Sequence, residues 1–249
     1  MSRISKANIE KSTEKPLTGA VALVTGSSRG IGKAIARRLA MMGARVSLCG
    51  RDEEALARAA EELRQLGVSV HAQRADVAKA PEVAALVTGT EKSLGPITLL
   101  VNNAGIGGFG AAHELSEEKW DLVLDTNLKS VFLVSKAVVP AMIERRRGDI
   151  INICSLAGKN TFAGGGVYCA SKWGLLGLTG CMAEDLRGYG IRVSAICPGS
   201  VATEFGGRGL KDPKKVLTAD DVAHAVGMVA AQGPQSFISE VDLRPVSKP

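Results

Sequence analysis

Short apolar runs alternate with longer amphipathic stretches along most of the chain. The runs are rich in Val, Ile and Leu and are apolar at successive positions, which is typical of strands covered on both faces of a sheet. Strands are predicted over residues 20–25, 45–49, 68–74, 97–101, 149–153, 191–197 and 237–241.

The stretches between the strands carry apolar residues three or four positions apart, as amphipathic helices do. In residues 53–66, for example, Leu56, Ala60 and Leu63 fall on one face. Regular alternation of strands and helices predicts an α/β fold, a doubly wound parallel sheet of about seven strands with helices on both faces and right-handed crossovers. Helices are predicted over residues 30–42, 53–66, 81–94, 117–145, 168–188 and 219–231.

The N-terminal residues differ in character from the rest of the chain. Residues 1–15 are polar, carry scattered charge and lack the apolar centre of a secretory signal, so we predict a disordered leader there. Residues 16–249 are long enough to form a single domain with a large core. Because no apolar run approaches the roughly 20 residues that a spanning helix requires, no membrane association is predicted.

The chain is mildly basic, with a formal net charge of +6. Such a surface favours acidic partners, including phosphate-bearing cofactors or an acidic carrier protein. The charge is not concentrated enough to predict binding of nucleic acid. The arginine run 145–147 ends a predicted helix, where it either compensates the helix dipole or forms a docking patch for a partner.

Five cysteines are spread along the chain without any CxxC pair. This spacing favours neither a disulfide framework nor a zinc site, so no metal is predicted. Reduced thiols are typical of the cytoplasm, and each cysteine is expected to be a small buried apolar residue. The five are Cys49, Cys154, Cys169, Cys181 and Cys197.

A glycine-rich turn, residues 25–32, lies between the first predicted strand and the first predicted helix. In such a context Gly26 permits a tight turn, Gly30 lets the backbone approach a pyrophosphate, and Gly32 lets the helix pack closely on the strand. The helix N-terminus then offers N–H groups and the positive end of its dipole to phosphates. The sequence therefore predicts a nucleotide-binding Rossmann fold, with the turn spaced G-x3-G-x-G.

The end of the second strand bears on the choice of nucleotide. Sites for NAD usually carry an acidic residue there for the ribose hydroxyl, whereas an arginine suits the 2′-phosphate of NADP. Gly50 stands at the position of the acidic residue, and Arg51 follows it, with Arg29 in the turn itself. We therefore expect NADP(H) to be favoured over NAD(H), although Asp52 lies close by and both arginines are also ordinary surface residues.

Asp76 and Val77 follow the third predicted strand. They stand where an adenine ring would lie, and the alternative is that Asp76 caps the next helix.

Tyr168 and Lys172 are four residues apart and share one face of a predicted helix. A nearby ammonium favours the phenolate, which is expected to lower the pKa of Tyr168 from its free value of about 10 toward the working range of a proton-transfer catalyst. Ser155 follows a predicted strand at the edge of the sheet where such folds bind ligands, and its hydroxyl is placed to bond a substrate oxygen. The three residues predict acid/base chemistry at a carbonyl or alcohol oxygen.

Taken together, these motifs resemble the short-chain dehydrogenase/reductase family over residues 17–231. The resemblance rests on the glycine-rich turn, on the motif 102–105, on Asn127 and Ser155, on the motif 168–172 and on Pro198-Gly199. It implies a catalytic set of Asn127, Ser155, Tyr168 and Lys172, in which the asparagine holds a water in a proton relay and the lysine also binds the nicotinamide ribose.

The resemblance also implies that the turn 102–105 braces the central strands and the adenosine side, and that Pro198, Gly199 and Thr203 lie beside the nicotinamide. The predicted cofactor contacts are Gly26, Ser28, Arg29, Gly30, Ile31, Gly32, Arg51, Asp76, Val77, Asn103, Ala104, Gly105, Tyr168, Lys172, Pro198, Gly199, Val201 and Thr203.

Two regions bear on the substrate. The C-terminal residues 237–245 differ from the usual ending of the family's reductases and resemble those of a branch that acts on small 3-hydroxy acids. The segment from Pro198 to Thr218 is short for a lid, which predicts no large enclosed pocket, and residues 156–167 with Phe109 and Phe205 are expected to line the site.

The expected function is an NADP(H)-dependent reductase of 3-oxoacyl groups, free or on a carrier protein, or of ketones in general. A dehydrogenase of small 3-hydroxy acids or sugar alcohols is the alternative. A non-catalytic cofactor-binding regulator is a remote third interpretation, since such a protein should have lost a catalytic residue. The resemblance further implies a homodimer or homotetramer that pairs the helices over residues 117–145 and 168–188 across a two-fold axis.

Overall fold

A parallel sheet of seven strands forms the centre of the molecule, in the order β3-β2-β1-β4-β5-β6-β7. The computed structural model describes residues 15–203, 205 and 215–247. The predicted leader therefore lies outside the described residues except for Lys15, as do residues 204 and 206–214 of the predicted lid. The strands are β1 (Val21–Val24), β2 (Arg45–Gly50), β3 (Val70–Arg74), β4 (Leu99–Asn102), β5 (Gly148–Ile153), β6 (Ile191–Pro198) and β7 (Glu240–Leu243).

Helices cover both faces of this sheet, as the apolar strands predict. The helices are α1 (Gly30–Met41), α2 (Glu53–Arg64), α3 (Ala80–Leu94), α4 (Glu117–Leu124), α5 (Ser130–Arg145), α6 (Gly166–Arg187) and α7 (Ala219–Ala230). One core cluster joins the sheet to α1, α2 and α7, and a second joins it to α3, α5 and α6. The predicted doubly wound α/β architecture is confirmed.

The predicted helix over residues 117–145 is interrupted. A π-helical turn, Asp125–Lys129, separates α4 from α5, and the N–H of Ser130 donates to the carbonyl of Asp125 five residues back. All of residues 117–145 are helical, as predicted, but apolar spacing carries no signal for the one widened turn inside the helix.

The last strand begins later than its sequence predicts, at Glu240 rather than at residue 237. Its pairing with β6 starts at Ala195↔Glu240. The N–H of Ile238 instead bonds to the side-chain oxygen of Gln232 at 2.7 Å, and the Ile238 carbonyl accepts from the Ser194 hydroxyl at 2.7 Å. The backbone N–H and carbonyl of Ile238 therefore bond to side chains, and pairing between β6 and β7 begins only after them.

The burial of the cysteines and the length and polarity of the helices were also predicted from the sequence. Four of the cysteines are buried, as predicted, but Cys181 is exposed on α6. Among the described residues, no helix is both long enough and apolar enough to span a bilayer.

Candidate active site

The predicted site residues converge at the carboxyl edge of the sheet. The strand order reverses between β1 and β4, so the loops that follow these two strands diverge and leave a crevice at this edge. The glycine-rich turn follows β1, Asn103 follows β4, Ser155 follows β5, and Pro198 ends β6. Residues far apart in sequence are thus brought to one crevice by topology.

The glycine-rich turn depends on backbone that no larger residue can replace. Gly26 has a positive φ of 63°, and a Cβ there would lie 2.8 Å from Ala104 Cα. A Cβ on Gly32 would lie 2.3 Å from the carbonyl oxygen of Gly26. The first turn of α1 is therefore pressed against the end of β1, as the spacing of the glycines predicts.

Hydrogen bonds from the loop after β4 hold this turn in place. The Asn103 side chain donates to the carbonyls of Thr25 and Gly26 at 2.9 and 3.1 Å. The Thr25 hydroxyl accepts from the backbone N–H groups of Asn103 and Ala104, each at 3.0 Å. The predicted bracing by the motif 102–105 is present, and Thr25 is its acceptor on β1.

Asn102 belongs to the same motif but faces the other way, into the protein. Its amide donates to Asn152 Oδ1 at 2.9 Å, and the Asn152 amide donates to the Thr179 hydroxyl at 2.9 Å. All three residues are buried. This chain of hydrogen bonds ties β4 and β5 to α6, the helix that carries Tyr168 and Lys172.

At the end of β2, the space beside Gly50 is filled by another residue. A Cβ on Gly50 would lie 2.9 Å from the Ser28 hydroxyl oxygen, so an acidic side chain does not fit there without displacing Ser28. Arg29 and Arg51 are both exposed at this point. Asp52 accepts a hydrogen bond from the N–H of Ala55 at 3.0 Å and so caps α2.

Asp76 and Val77 lie in the turn between β3 and α3. The Asp76 carboxylate accepts from the N–H of Ala78 at 3.1 Å, whereas Lys79 stands at the N-cap of α3. The alternative interpretation of Asp76 as a helix cap is therefore wrong, because the carboxylate closes a turn three residues before the helix. Val77 is buried.

Asn127 lies in the π-helical turn, fully buried. Its amide oxygen accepts from the N–H of Ile106 at 2.8 Å, and its amide nitrogen donates to the Ile106 carbonyl at 3.0 Å and to the Ser171 hydroxyl at 3.0 Å. The Ser171 hydroxyl in turn donates to the carbonyl of Tyr168 at 2.7 Å. Asn127 thus connects the loop after β4 to the first turn of α6.

Ser155 begins a short 3-10 turn, Leu156–Gly158, and its hydroxyl accepts from the N–H of Ala157 at 3.1 Å. The turn continues into Lys159, whose ammonium contacts the carboxylates of Glu240 and Asp242 on β7. The position of Ser155 is therefore set from two sides, by its own turn and by a link to the last strand.

Tyr168 and Lys172 lie in α6 as predicted, but their electrostatics differ from the prediction. Loss of solvation on burial raises the pKa of Tyr168 to about 12, and a hydrogen bond from Ser155 acts in the opposite direction. Burial also lowers the pKa of Lys172, whose ammonium donates to the carbonyl of Ile153 at 2.9 Å and lies 6.0 Å from the Tyr168 ring centroid. The expected lowering of the Tyr168 pKa was wrong for the protein alone, because burial outweighs the hydrogen bond from Ser155 and the Lys172 ammonium bonds to a backbone carbonyl.

The remaining predicted contacts come from the segment after β6. The N–H of Gly199 donates to the carbonyl of Leu243 at 2.8 Å, and Val201 forms a bridge with Leu217. The methyl group of Thr203 is the nearest atom, at 3.8 Å, to a Cβ built on Gly30, which places Thr203 beside the glycine-rich turn. Of the predicted lid, residues 204 and 206–214 lie outside the described residues.

Three residues at the site were given no role by the sequence. Thr25 and Ser171 stand inside motifs that were recognised, but only the fold shows that their hydroxyls link separate segments. Ile106 contributes only its backbone groups to Asn127. Any residue type can supply these backbone groups, so the sequence pattern does not identify Ile106 as part of the site.

The crevice fits a dinucleotide. Gly30 has a φ of 56° and leaves open space at the start of α1, where the Arg29 side chain does not cap the first turn. N–H groups at a helix start are suited to a pyrophosphate. Across the crevice, Ser155 and Tyr168 present two hydroxyls that are suited to one substrate oxygen.

Comparisons with known proteins agree with this geometry. The family model for the short chain dehydrogenases matches residues 20–213. A protein named as ketoacyl reductase 1 of the granaticin polyketide synthase, from Streptomyces violaceoruber, is 47% identical over 200 residues, 79% of this chain and 74% of its own. The 2-(S)-hydroxypropyl-CoM dehydrogenase 3 of Xanthobacter autotrophicus is 40% identical over 187 residues, 75% of this chain and 73% of its own.

Two solved structures of oxidoreductases with a bound nicotinamide cofactor are also similar to this chain. A metagenomic short-chain oxidoreductase in complex with NADP is 44% identical with a TM-score of 0.83, covering 94% of this chain and 100% of its own. A single-residue variant of the actinorhodin polyketide ketoreductase with NADPH is 37% identical with a TM-score of 0.83, covering 90% of this chain and 94% of its own.

Proposed function

Because this chain belongs to the short-chain dehydrogenase family and is an oxidoreductase of ketone and secondary alcohol groups, we propose that it reduces 3-oxoacyl groups or related ketones with NADPH. The observation that carries this proposal is the convergence of Asn127, Ser155, Tyr168 and Lys172 beside the glycine-rich turn.

The catalytic roles follow from what each side chain is placed to do. When bound, NADPH supplies the hydride. Tyr168, which is protonated at neutral pH, donates its proton to the carbonyl oxygen. Ser155 donates a hydrogen bond to the same oxygen, which stabilises the charge that develops there.

Lys172 and Asn127 support this proton transfer without contacting the substrate. The Lys172 ammonium is held by the Ile153 carbonyl and places a positive charge close to the Tyr168 ring. Asn127 fixes the start of α6 through Ser171. A water held at Asn127 would complete a relay that returns a proton to Tyr168.

The structure supports a site for the 2′-phosphate of NADP. Ser28 fills the space beside Gly50, and Asp52 is engaged as a helix cap, so neither position offers a carboxylate to a ribose hydroxyl. Arg29 and Arg51 would bracket the phosphate with charge-assisted hydrogen bonds. The cofactor site would further include Ser28, Ile31, Asp76, Val77, Asn103, Ala104, Gly105, Pro198, Gly199, Val201 and Thr203.

The named ketoacyl reductases among the relatives favour a ketone substrate, free or on a carrier protein, over a small 3-hydroxy acid or sugar alcohol. We place residues 16–249 in one domain. The free cysteines support a cytoplasmic location.

Replacing the catalytic tyrosine tests the proposed function directly. Tyr168→Phe keeps the ring and its packing but removes the transferable proton. We expect kcat for NADPH oxidation with acetoacetyl-CoA to fall roughly 10²–10⁴-fold, with NADPH binding unchanged. Tyr189→Phe, at an exposed position beyond the end of α6, is the control and should retain full activity.

Two results would contradict the proposal. Failure of the wild type to oxidise NADPH with any 3-oxoacyl thioester would exclude the substrate class. Near-normal turnover by Tyr168→Phe would exclude the mechanism.

A further inference from the structure

Aromatic side chains are rare in this chain but are concentrated beside Tyr168. The chain has five phenylalanines, and the rings of Phe109 and Phe205 lie 5.6 and 5.7 Å from the Tyr168 ring, centroid to centroid. Phe162 lies 6.2 Å from Phe109 and extends the group outward. We call Phe109, Phe162 and Phe205 the aromatic wall.

These rings are not core residues. Phe162 and Phe205 expose 46% and 42% of their surface, and Phe109 is half-buried. None of the three belongs to a buried cluster of the core. Exposed rings gathered in a crevice are more typical of a binding surface than of a structural contact.

The rings flank the catalytic tyrosine from two different segments. Phe109 comes from the loop between β4 and α4, whereas Phe205 comes from the segment after β6. Both rings are tilted against the tyrosine, by 53° and 59°. Tilted arrangements at such distances are favourable between aromatic groups.

We propose that the aromatic wall makes this enzyme selective for ketones that carry an aromatic ring close to the carbonyl. The inference rests on the proposed function, because it assumes that Tyr168 protonates the ketone oxygen. A ketone oxygen bound by Tyr168 and Ser155 would place a nearby substituent against Phe109 and Phe205. Phe109 and Phe205 are then specificity-determining residues.

A matched pair of substrates separates aromatic contact from simple burial. Phenylacetone and cyclohexylacetone are both methyl ketones with the ring one carbon from the carbonyl, but the saturated ring is larger and more apolar. Burial alone would therefore favour cyclohexylacetone. Contact between rings would favour phenylacetone by about three- to tenfold in kcat/KM, the range expected for one or two aromatic pairs.

The experiment measures NADPH oxidation with both ketones for the wild type and three variants. Phe109→Leu and Phe205→Leu should each reduce the ratio of kcat/KM for phenylacetone over cyclohexylacetone toward one, with unchanged affinity for NADPH. Phe237→Leu is the matched control, because Phe237 is similarly exposed but lies at the opposite edge of the sheet. Its ratio should equal that of the wild type.

The possible failures are distinguishable. If the wild type reduces cyclohexylacetone as well as or better than phenylacetone, the inference is wrong and the proposed ketone reductase stands. If both leucine variants keep the wild-type ratio, the aromatic wall does not select the substrate. If neither ketone nor any 3-oxoacyl thioester is reduced, the proposed function fails together with the inference.

Discussion

The pKa of Tyr168 is decided by competition between burial and a hydrogen bond from Ser155. Burial disfavours the charged phenolate, whereas a hydrogen bond to the phenolate oxygen favours it. In this protein the Lys172 ammonium bonds to a backbone carbonyl, and burial raises the pKa of Tyr168 to about 12. Tyr168 in the protein alone is therefore a phenol at neutral pH and a weaker acid than free tyrosine.

A spectroscopic titration can measure this directly, because the chain has only two tyrosines. In Tyr189→Phe, all phenolate absorbance comes from Tyr168. We expect this residue to remain mostly protonated at pH 11 in the folded protein without cofactor, but to ionise near its free value of about 10 in denaturant. Because the folded-state pKa is the higher one, stability should decline as pH rises from about 10 toward 12.

The double variant Tyr168→Phe/Tyr189→Phe supplies the baseline without phenols. An ionisation below pH 10 in the folded protein would contradict the expected effect of burial.

The placement of the proposed catalytic residues could be predicted from the sequence, but their electrostatics could not. Spacing places Tyr168 and Lys172 on one helix face, and this was correct. Spacing does not reveal that the Ile153 carbonyl takes the ammonium, because that contact depends on how α6 packs against β5. Burial and hydrogen-bond partners are properties of the packed molecule.

At the scale of elements, the turn after β2 sets the cofactor preference proposed above. Ser28 occupies the space that a side chain at position 50 would need, and Arg51 follows at the strand end. A preference for NADPH then requires both an arginine that attracts the phosphate and the absence of a carboxylate that repels it.

Replacing Arg51 by alanine tests this preference. We expect Arg51→Ala to weaken NADPH binding by about one to two decades, since it removes a charge-assisted hydrogen bond, while NADH binding stays unchanged. Fluorescence titration with both cofactors measures the two affinities. Arg64→Ala, near the other end of α2, is the control and should change neither. Equal wild-type affinities for NADPH and NADH would refute the preference.

The elements themselves were largely predictable, and the exceptions share a cause. The π-helical turn at Asn127 and the late start of β7 both arise where a side chain satisfies backbone or neighbouring groups. Apolar periodicity reports which face is buried, but it does not report such individual hydrogen bonds.

At the scale of the whole molecule, α4, α5 and α6 present large apolar side chains to solvent. These are Trp120, Leu122, Phe132 and Trp173. Exposed residues of this size are typical of surfaces that bind another protein. They lie on the helices expected to pair across a two-fold axis, which supports a homodimer or homotetramer.

Light scattering tests the assembly. We expect a mass of at least two 25.9 kDa chains at micromolar concentration. Phe132→Glu should lower that mass, because a charge in an isologous interface is repeated on both sides. Met41→Glu, an exposed methionine on α1, is the control and should leave the mass unchanged. A monomeric wild type would contradict the prediction.

The link between Lys159 and β7 has a consequence for how the enzyme matures during synthesis. Glu240 and Asp242 hold the turn of Ser155, and Leu243 holds Gly199, yet β7 is the last element of the described chain to leave the ribosome. A nascent chain can bury most of its core and complete its glycine-rich turn while these partners are still being translated. The Ser155 turn and Gly199 thus both gain their partners only once β7 has been translated, so the side of the crevice that would hold the nicotinamide and the substrate is completed last among the described elements.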